Sequence, residues 1–305
     1  MTVVSDFSGI VEKAKQVEKP VRVALAKADS ENILKGLFWA QRDGFVEPIL
    51  LGDEEKILAM LERLGLKDEH YQLHHVSSDQ NVVQVAIEMV NAGRADALMR
   101  GDTQTRDFLM PILNKGNHLI DKGNWLSHVA VLKVPGLEKL LSITDVTIAI
   151  EPSIEQRKLI IRNLVSLLKE MGIERPNIAL LSLVETPSFR MWDSIDAQTI
   201  VKQQNREPFA DCNLVGPIAY DLIMSKESAR LKNYDCPYCG EFDGMVVPNL
   251  MAGNLVVKIL EKSAGAKVAG VIVGANIPIA ITSRSDSPEH AYLSLAAMIA
   301  TFRKQ

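Results

Sequence analysis

Short apolar segments alternate with amphipathic helical segments along most of this chain. Residues 21–25 read VRVAL and residues 267–273 read KVAGVIV, and both segments are rich in β-branched side chains. Segments of this length and composition are typical of buried strands. Strands that alternate with helices predict right-handed crossovers and mostly parallel sheets with helices on both faces. We therefore expect an α/β protein.

The chain is long enough for two domains, because its 305 residues exceed what one hydrophobic core usually serves. The alternating pattern breaks at Pro135 and Gly136 and resumes as a predicted strand over residues 144–150. We expect the last helix of the chain to return to the first domain. The predicted α/β domains are residues 1–138 together with 284–305, and residues 139–283.

Charge and hydropathy argue against several classes of partner. A net charge of −4 at pH 7 disfavours general nucleic-acid binding, which normally needs a basic face. The best candidate for a membrane span, near Val268, is broken by Gly274, Asn276 and Pro278, so no span is predicted. The first residues lack the basic and apolar regions of a secretory signal. We therefore expect a cytoplasmic protein that does not bind membranes.

A polar turn near the end of the chain has the side chains of an anion site. Residues 282–286 read TSRSD, and they follow an apolar run at residues 277–281. Ser287 is placed to cap a helix whose first residue is Pro288. Unpaired N–H groups at a helix start favour an anion, and Arg284 adds a planar charged fork suited to phosphate. The same pattern also fits a capped helix with a solvated arginine, and the turn alone leaves both interpretations open.

Other polar residues lie where predicted strands end and helices begin, which is where parallel sheets bind ligands. Gly101 allows a close backbone approach, and Thr105 offers a hydroxyl near a helix start. His128 lies just before an apolar run, where it serves either as a structural donor or in proton transfer. Asn249 and Asn254 either donate hydrogen bonds to a ligand or cap a helix.

The chain has three cysteines, which are too few for a disulfide framework at this length: Cys212, Cys236 and Cys239. The last two form CPYC, the tetrapeptide of glutaredoxin active sites. That chemistry needs the first thiol at the start of a helix, whereas Gly240 and Gly244 here indicate a loop. A zinc site would need two further ligands from elsewhere in the chain. We therefore predict a turn with two free thiols and no metal site.

Four groups of segments, spread over nearly the whole chain, carry a family resemblance. They are RVALAKADSENIL with GFVEPILLG; LMRGDTQTRDFLMPILNKG with LSHVAVLKVPG; GPIAYDLIMSKESA; and VVPNLMAGNLVVKILEKSAGAKVAGVIVGANIPIAITSRSDS. These segments resemble the phosphate acyltransferases, a family of phosphotransacetylases and phosphotransbutyrylases. The resemblance implies two three-layer α/β domains with mostly parallel sheets, similar to isocitrate and isopropylmalate dehydrogenases, with the active site in the interdomain cleft. It also implies a homodimer that exchanges coenzyme A for inorganic phosphate on an acyl group, without a metal or redox cofactor.

The resemblance assigns roles to particular residues. Ser283 and Arg284 match the family's Ser-Arg pair, in which arginine binds phosphate and the acyl carbonyl while serine hydrogen-bonds the oxyanion. Acyl transfer needs such donors where negative charge develops. Arg100 stands where the family more often has lysine, which keeps the charge but changes the shape. The predicted substrate-binding residues are Arg100, Gly101, Thr105, Ser127, His128, Asn249 and Asn254.

The general base is expected to differ from that of the acetyl-specific members. Those members place an aspartate seven positions after the serine, where this chain has His290. Asp286, three positions after Ser283, resembles the butyryl branch instead. Asp286 is therefore the first candidate for the base and His290 the second. The expected reaction converts butyryl-CoA and phosphate to butyryl phosphate and CoA by direct attack in a ternary complex.

Three alternative functions stay open at this point. The first is a phosphate acetyltransferase, since the reaction class does not fix the acyl group. The second is an NAD-linked dehydrogenase of related architecture, which would need clustered aspartates for a divalent metal. The third is a non-catalytic paralogue that binds acyl-CoA, suggested by the changed position of the base.

Overall fold

A computed structural model of the chain describes residues 3–203 and 209–302. In chain order its elements are α1 (Phe7–Ala14), β1 (Val21–Ala26), α2 (Glu31–Arg42), β2 (Val46–Gly52), α3 (Glu54–Leu64), β3 (Gln72–His75), α4 (Val82–Asn91), β4 (Ala97–Arg100), α5 (Thr105–Leu113), a 3-10 helix (Lys115–Asn117), β5 (Ser127–Lys133), β6 (Leu141–Thr144), α6 (Ile154–Glu170), β7 (Asn177–Leu181), α7 (Trp192–Val201), β8 (Asn213–Ile218), α8 (Tyr220–Met224), α9 (Lys226–Leu231), β9 (Gly244–Val246), α10 (Leu250–Lys262), β10 (Lys267–Val273), β11 (Ile279–Ala280) and α11 (Pro288–Thr301). This order confirms the α/β class. Among the described helices, none is long and apolar enough to cross a bilayer.

The described chain divides into two compact units, each with its own set of paired strands. Unit I comprises residues 7–124 and 268–302, and unit II comprises residues 3–6 and the described part of 125–267. The predicted domain bounds, 1–138 with 284–305 and 139–283, differ from this division. The difference arises because β5 pairs with β6 within unit II, and β11 pairs with β4 within unit I.

Unit I contains strands in the order β3-β2-β1-β4-β11-β10. All neighbours are parallel except β10, which runs antiparallel to β11. Residues 23–26 of β1 have no exposed surface. Full burial along a strand is expected where helices cover both faces of a parallel sheet, so the apolar composition of VRVAL follows from its central place.

Gly101 allows the end of β4 to lie against the end of β1. Its N–H donates to the carbonyl oxygen of Ala26 at 2.9 Å, and the N–H of Asp102 donates to that of Lys27 at 2.9 Å. A Cβ atom at Gly101 would lie 2.0 Å from the Lys27 oxygen and 2.4 Å from the Ala26 oxygen. The close backbone approach predicted for Gly101 is therefore an approach to β1.

The substitution Gly101→Ala is expected to lower the free energy of unfolding by about 1–3 kcal/mol, the usual cost of overpacking. Backbone oxygens meet the added methyl group, and they cannot rotate away as a side chain can. Chemical denaturation measures the effect. The matched control is Gly116→Ala, where the nearest atom to an added Cβ is the Asn114 side-chain oxygen at 3.4 Å. Equal midpoints for the two variants would contradict the close approach.

Unit II contains strands in the order β5-β6-β9-β7-β8. The pair β5–β6 is antiparallel, and the other pairs are parallel. Helix α6 begins with a capping box, in which the Ser153 side chain and the Gln156 side chain bond each other's backbone N–H groups. The box satisfies backbone N–H groups that would otherwise be unpaired at the start of this 17-residue helix.

The predicted strand at residues 144–150 is wrong, because β6 ends at Thr144. The Asp145 side chain turns the chain there instead. Its Oδ1 atom accepts N–H bonds from Thr147 at 2.8 Å, Ile148 at 2.6 Å and Ala149 at 3.3 Å. In a strand, these N–H groups would donate to a neighbouring strand, whereas here they all donate to one carboxylate.

Candidate active site

The polar turn after β11 is fixed by Asp286. The N–H of Ser283 donates to Asp286 Oδ2 at 2.7 Å, and the N–H of Asp286 donates to the Ser283 carbonyl oxygen at 3.1 Å. The Asn32 side-chain amide of α2 donates to the Asp286 carbonyl oxygen at 2.9 Å. These bonds hold residues 283–286, here called the Ser283 turn, at a defined position just ahead of α11.

Helix α11 begins as the sequence predicts. Ser287 is the cap, with its hydroxyl accepting the His290 N–H at 3.3 Å, and Pro288 is the first helical residue. A carboxylate oxygen of Asp286 and a ring nitrogen of His290 lie within 4.8 Å of one another. The two candidate bases are therefore neighbours at the same helix start, beside the Ser283 turn.

Two arginines meet at the Ser283 turn. Arg100 is buried, and its guanidinium donates to the carbonyl oxygen of Thr103 at 3.0 and 2.6 Å and to that of Thr282 at 3.3 Å. Burial, and then the nearby charge of Arg284, lower the pKa of Arg100. Over the described residues, neither guanidinium has a carboxylate at ion-pair distance. Two cations without a direct counter-ion favour an anionic ligand between them.

Arg284 is exposed and lines a cavity of about 950 Å³ within unit I. The cavity lies at the carboxyl ends of β1 to β4, and its other basic residues are Lys27, Lys56 and His75. The starts of three helices also contribute to it, through Asp53 before α3, Asn81 before α4 and Gln104 before α5. A cavity of this size and position is typical of sites for small organic ligands.

Two predicted substrate-binding residues of unit I occupy different surroundings. Arg100 uses its donors on backbone carbonyl groups, so its side chain holds the Ser283 turn in place while its charge adds to the local positive potential. Thr105 is the first residue of α5 and is half-buried. Thr103, which the sequence did not single out as a holder of Arg100, accepts two of its hydrogen bonds through the backbone.

Two predicted residues of unit II have structural partners for their side chains. Ser127 has no exposed surface, and its hydroxyl accepts from the Asn163 side-chain amide at 2.9 Å. Asn249 caps α10, accepting the N–H of Ala252 at 3.0 Å. These contacts place Ser127 in the core of unit II and give Asn249 the capping role that its position before a helix allows.

His128 and Asn254 lie together at residues 145–149, here called the Asp145 turn. The backbone N–H of His128 donates to Asp145 Oδ2 at 2.8 Å, and its Nδ1 atom lies 2.5 Å from the Thr147 hydroxyl. The Asn254 side-chain amide donates to the Val146 carbonyl oxygen at 3.4 Å. Asp145 therefore shapes the turn at which both residues lie.

Two opposing effects act on the pKa of the Asp145 carboxyl group. Burial raises the pKa of Asp145, while hydrogen bonds from backbone N–H groups at residues 128, 147, 148 and 149 act in the other direction. Its side chain is 3% exposed. The carboxyl group is thus a buried structural acceptor that shapes the turn carrying His128 and Asn254.

The substitution Asp145→Ala is expected to lower the free energy of unfolding by about 3 kcal/mol, because several backbone N–H groups lose their acceptor in a buried place. Denaturant unfolding followed by circular dichroism measures the loss. Thr147→Ala is the control, since it removes only the hydroxyl beside His128 and should cost about 1 kcal/mol or less. If Asp145→Ala costs no more than Thr147→Ala, the carboxylate does not hold this turn.

Comparisons with known proteins bear on what these sites do. Residues 73–300 match the family model described as phosphate acetyl/butaryl transferase. The chain is 31% identical over 299 residues to a phosphate butyryltransferase of Clostridium acetobutylicum, covering 97% of this chain and 99% of the relative. It is 30% identical over 287 residues to a phosphate acetyltransferase of Thermotoga maritima, covering 94% and 96%. A solved branched-chain phosphotransacylase from Enterococcus faecalis matches at a TM-score of 0.78 and 30% identity, covering 92% and 99%.

The α/β fold has Arg100 at the end of a strand and Arg284 just ahead of a helix, which is where parallel sheets commonly bind anionic ligands. The similarities make the class specific, because they extend over nearly the whole of this chain and of its relatives. The chain belongs to the phosphate acetyl/butaryl transferase family and is an enzyme of the phosphate acyltransferase type. The resemblance found in its sequence is thereby confirmed.

Proposed function

We propose that this enzyme transfers a butyryl group, or an acyl group of similar length, between coenzyme A and inorganic phosphate. The observation that carries the proposal is the pair Arg100 and Arg284 beside the Ser283 turn. Phosphate is doubly charged near neutral pH, and a planar guanidinium binds it through two parallel hydrogen bonds. Arg284 is exposed and lines the cavity of unit I, so it is the residue proposed to hold phosphate.

The proposed step is direct attack by a phosphate oxygen on the thioester carbonyl carbon. The carbon–oxygen bond forms, and negative charge develops on the carbonyl oxygen. The carbon–sulfur bond then breaks, which gives acyl phosphate and the CoA thiolate, and the thiolate takes a proton. Ser283 is proposed to donate its hydroxyl hydrogen to the developing oxyanion, since its backbone is fixed by Asp286 before the reaction begins.

In the reverse direction a base must remove the thiol proton of CoA as its sulfur attacks acyl phosphate. Asp286 is the first candidate and His290 the second, and both lie at the start of α11. Asp286 also accepts the Ser283 N–H, so one carboxylate would both position the serine and take the proton. The reaction as proposed needs no metal or redox cofactor, and added chelator is expected to leave its rate unchanged.

The acyl group is the least constrained part of the proposal, because relatives of similar identity are named for butyryl and for acetyl transfer. Asp286 in place of an aspartate at position 290 supports the butyryl group. The test compares free thiol released from butyryl-CoA and acetyl-CoA, with and without phosphate. Phosphate-dependent release that is faster with butyryl-CoA supports the proposal, whereas a preference for acetyl-CoA keeps the reaction and overturns the acyl group.

Substrate contacts in unit II are proposed for His128 and Asn254, whose side chains both lie at the Asp145 turn. For Ser127 and Asn249 we propose a positioning role, because both side chains are engaged within the unit. An increase in KM for acyl-CoA in Asn254→Ala, with kcat little changed, would support contact with substrate. An unchanged KM would remove Asn254 from the binding site.

A homodimer and a cytoplasmic location also stay predictions. Helix α10 presents an exposed apolar stripe at helical spacing, with Met251 76%, Leu255 57% and Ile259 50% exposed. An apolar stripe of this kind supports pairing between two copies of the chain. Light scattering after gel filtration is expected to give the mass of a dimer, and Leu255→Glu should shift it toward the monomer. A wild-type monomer would contradict the predicted assembly.

A further inference from the structure

The loop between α9 and β9 contains a turn that brings two thiols together. The N–H of Cys239 lies 3.5 Å from the carbonyl oxygen of Cys236, which closes a turn over residues 236–239. Such a turn keeps its first and fourth Cα atoms within about 7 Å, and a disulfide needs them roughly 4.4–6.8 Å apart. The Cys236 thiol also helps to raise the pKa of Cys239, as expected for two neighbouring side chains. The backbone of the reduced turn is therefore compatible with the Cα separation that a disulfide requires.

The loop is attached to the rest of unit II just after this turn. The N–H of Gly240 donates to the Ile223 carbonyl oxygen at 3.1 Å. The carboxylate of Asp243 accepts the Asn177 N–H at 2.8 Å and the Lys139 ammonium at 2.6 Å. Because these contacts already order the loop, closing a covalent bridge in it requires little further loss of chain entropy.

The two thiols differ in access to reagents. Cys236 is half-buried, whereas Cys239 is only 2% exposed. Burial, the neighbouring Cys236 thiol and the charge of Asp221 raise the pKa of Cys239 to about 12. The thiolate is the reactive form of cysteine, and Cys236 is the more accessible of the two thiols, so we expect a reagent from solvent to react with Cys236 first. Cys239 is then the neighbouring thiol that can attack the oxidised Cys236 sulfur.

We propose that Cys236 and Cys239 form a reversible thiol–disulfide site, oxidised by hydroperoxides and restored by low-molecular-weight thiols. In the first step the Cys236 sulfur attacks hydrogen peroxide, the oxygen–oxygen bond breaks, and a sulfenic acid and one water form. In the second step the Cys239 sulfur attacks the Cys236 sulfur, and the sulfenic hydroxyl leaves with the Cys239 proton as a second water. Two thiols are oxidised by two electrons in total, and one peroxide is reduced.

This inference is independent of the acyl-transfer reaction, because no residue of the Ser283 turn takes part in it. The third cysteine provides an internal control. Cys212 is also buried, at 1% exposure, but its sulfur is directed to the carbonyl oxygen of Phe209 at 3.5 Å rather than to another thiol. Burial raises the pKa of Cys212 to about 11. Cys212 therefore lacks both access to reagents from solvent and a neighbouring thiol with which to form a disulfide.

The test uses the reduced full-length protein with hydrogen peroxide and no other thiol, and a separate glutathione sample verifies by its own oxidation that the peroxide is active. Remaining thiols are then alkylated under denaturing conditions and assigned by peptide mass spectrometry. Of the three cysteines, only Cys212 is expected to be alkylated. The peptide with Cys236 and Cys239 should be lighter by two hydrogens, and dithiothreitol should make all three thiols available again.

Single substitutions separate the two steps. Cys239→Ser is expected to abolish the bridge and to convert Cys236 to sulfinic acid, because the resolving thiol is absent. Cys212→Ser should leave the bridge unchanged. The result with the wild-type protein alone tests whether the disulfide forms. Three alkylated cysteines after peroxide, or a sulfinic Cys236 beside an alkylated Cys239, would overturn the proposal.

Discussion

Arg284→Gln is expected to reduce kcat/KM for phosphate-dependent CoA release by about 100- to 1000-fold, the usual cost of removing a donor that stabilises transition-state charge. Glutamine keeps polar atoms at the position but loses the charge and the two-pronged geometry that suits phosphate. The exposed side chain has no ion pair among the described residues, so its loss should leave the folded structure intact. Steady-state kinetics with varied phosphate measures the effect.

Two further variants sharpen the Arg284 experiment. Arg284→Lys keeps the charge without the planar fork, and its activity is expected to fall between wild type and Arg284→Gln. Arg94→Gln changes an exposed arginine just after α4, outside the Ser283 turn, and should leave turnover within about twofold of wild type, as surface changes usually do. Normal turnover in Arg284→Gln would remove this arginine from the mechanism.

Asp286→Asn is expected to slow the formation of acyl-CoA from acyl phosphate and CoA by about 100-fold or more, the usual contribution of a general base. Asparagine retains an oxygen that can accept the Ser283 N–H, so the Ser283 turn should persist. A loss of rate with unchanged thermal unfolding therefore reports the proton transfer rather than the positioning of Ser283.

The substitution His290→Gln tests whether the His290 imidazole, rather than Asp286, acts as the general base. Its backbone N–H bonds the Ser287 cap, and this bond does not depend on the side chain. We expect a loss smaller than that of Asp286→Asn. The reverse order of the two losses would assign the base to His290, and near-normal activity in both variants would exclude proton transfer by either residue.

Local patterns predicted several elements of the fold with their bounds. The strand at residues 267–273 and the helix start at Ser287 and Pro288 agree with the structure, because each depends on neighbouring residues alone. The strand predicted at residues 144–150 failed for a reason that periodicity does not show. A buried Asp145 carboxylate takes the backbone donors there, and only a tertiary structure shows that it is buried.

The candidate site was predictable in part. The turn with Ser283, Arg284 and Asp286 combines a strand end, a helix cap and a charged fork in adjacent residues, so the sequence displays it directly. Ser127 illustrates the limit, since its place beside a histidine gave no sign that Asn163 holds its hydroxyl in the core. The carbonyl partners of Arg100 were equally hidden, because Thr282 lies far from it along the chain.

The most direct test of the central claim is phosphorus NMR of the enzyme with butyryl-CoA and inorganic phosphate. We expect a new acyl phosphate resonance that grows in proportion to the free CoA thiol, and neither product should form at an appreciable rate with Arg284→Gln. Release of CoA without acyl phosphate, or no release from any short acyl-CoA by the folded enzyme, would contradict the account.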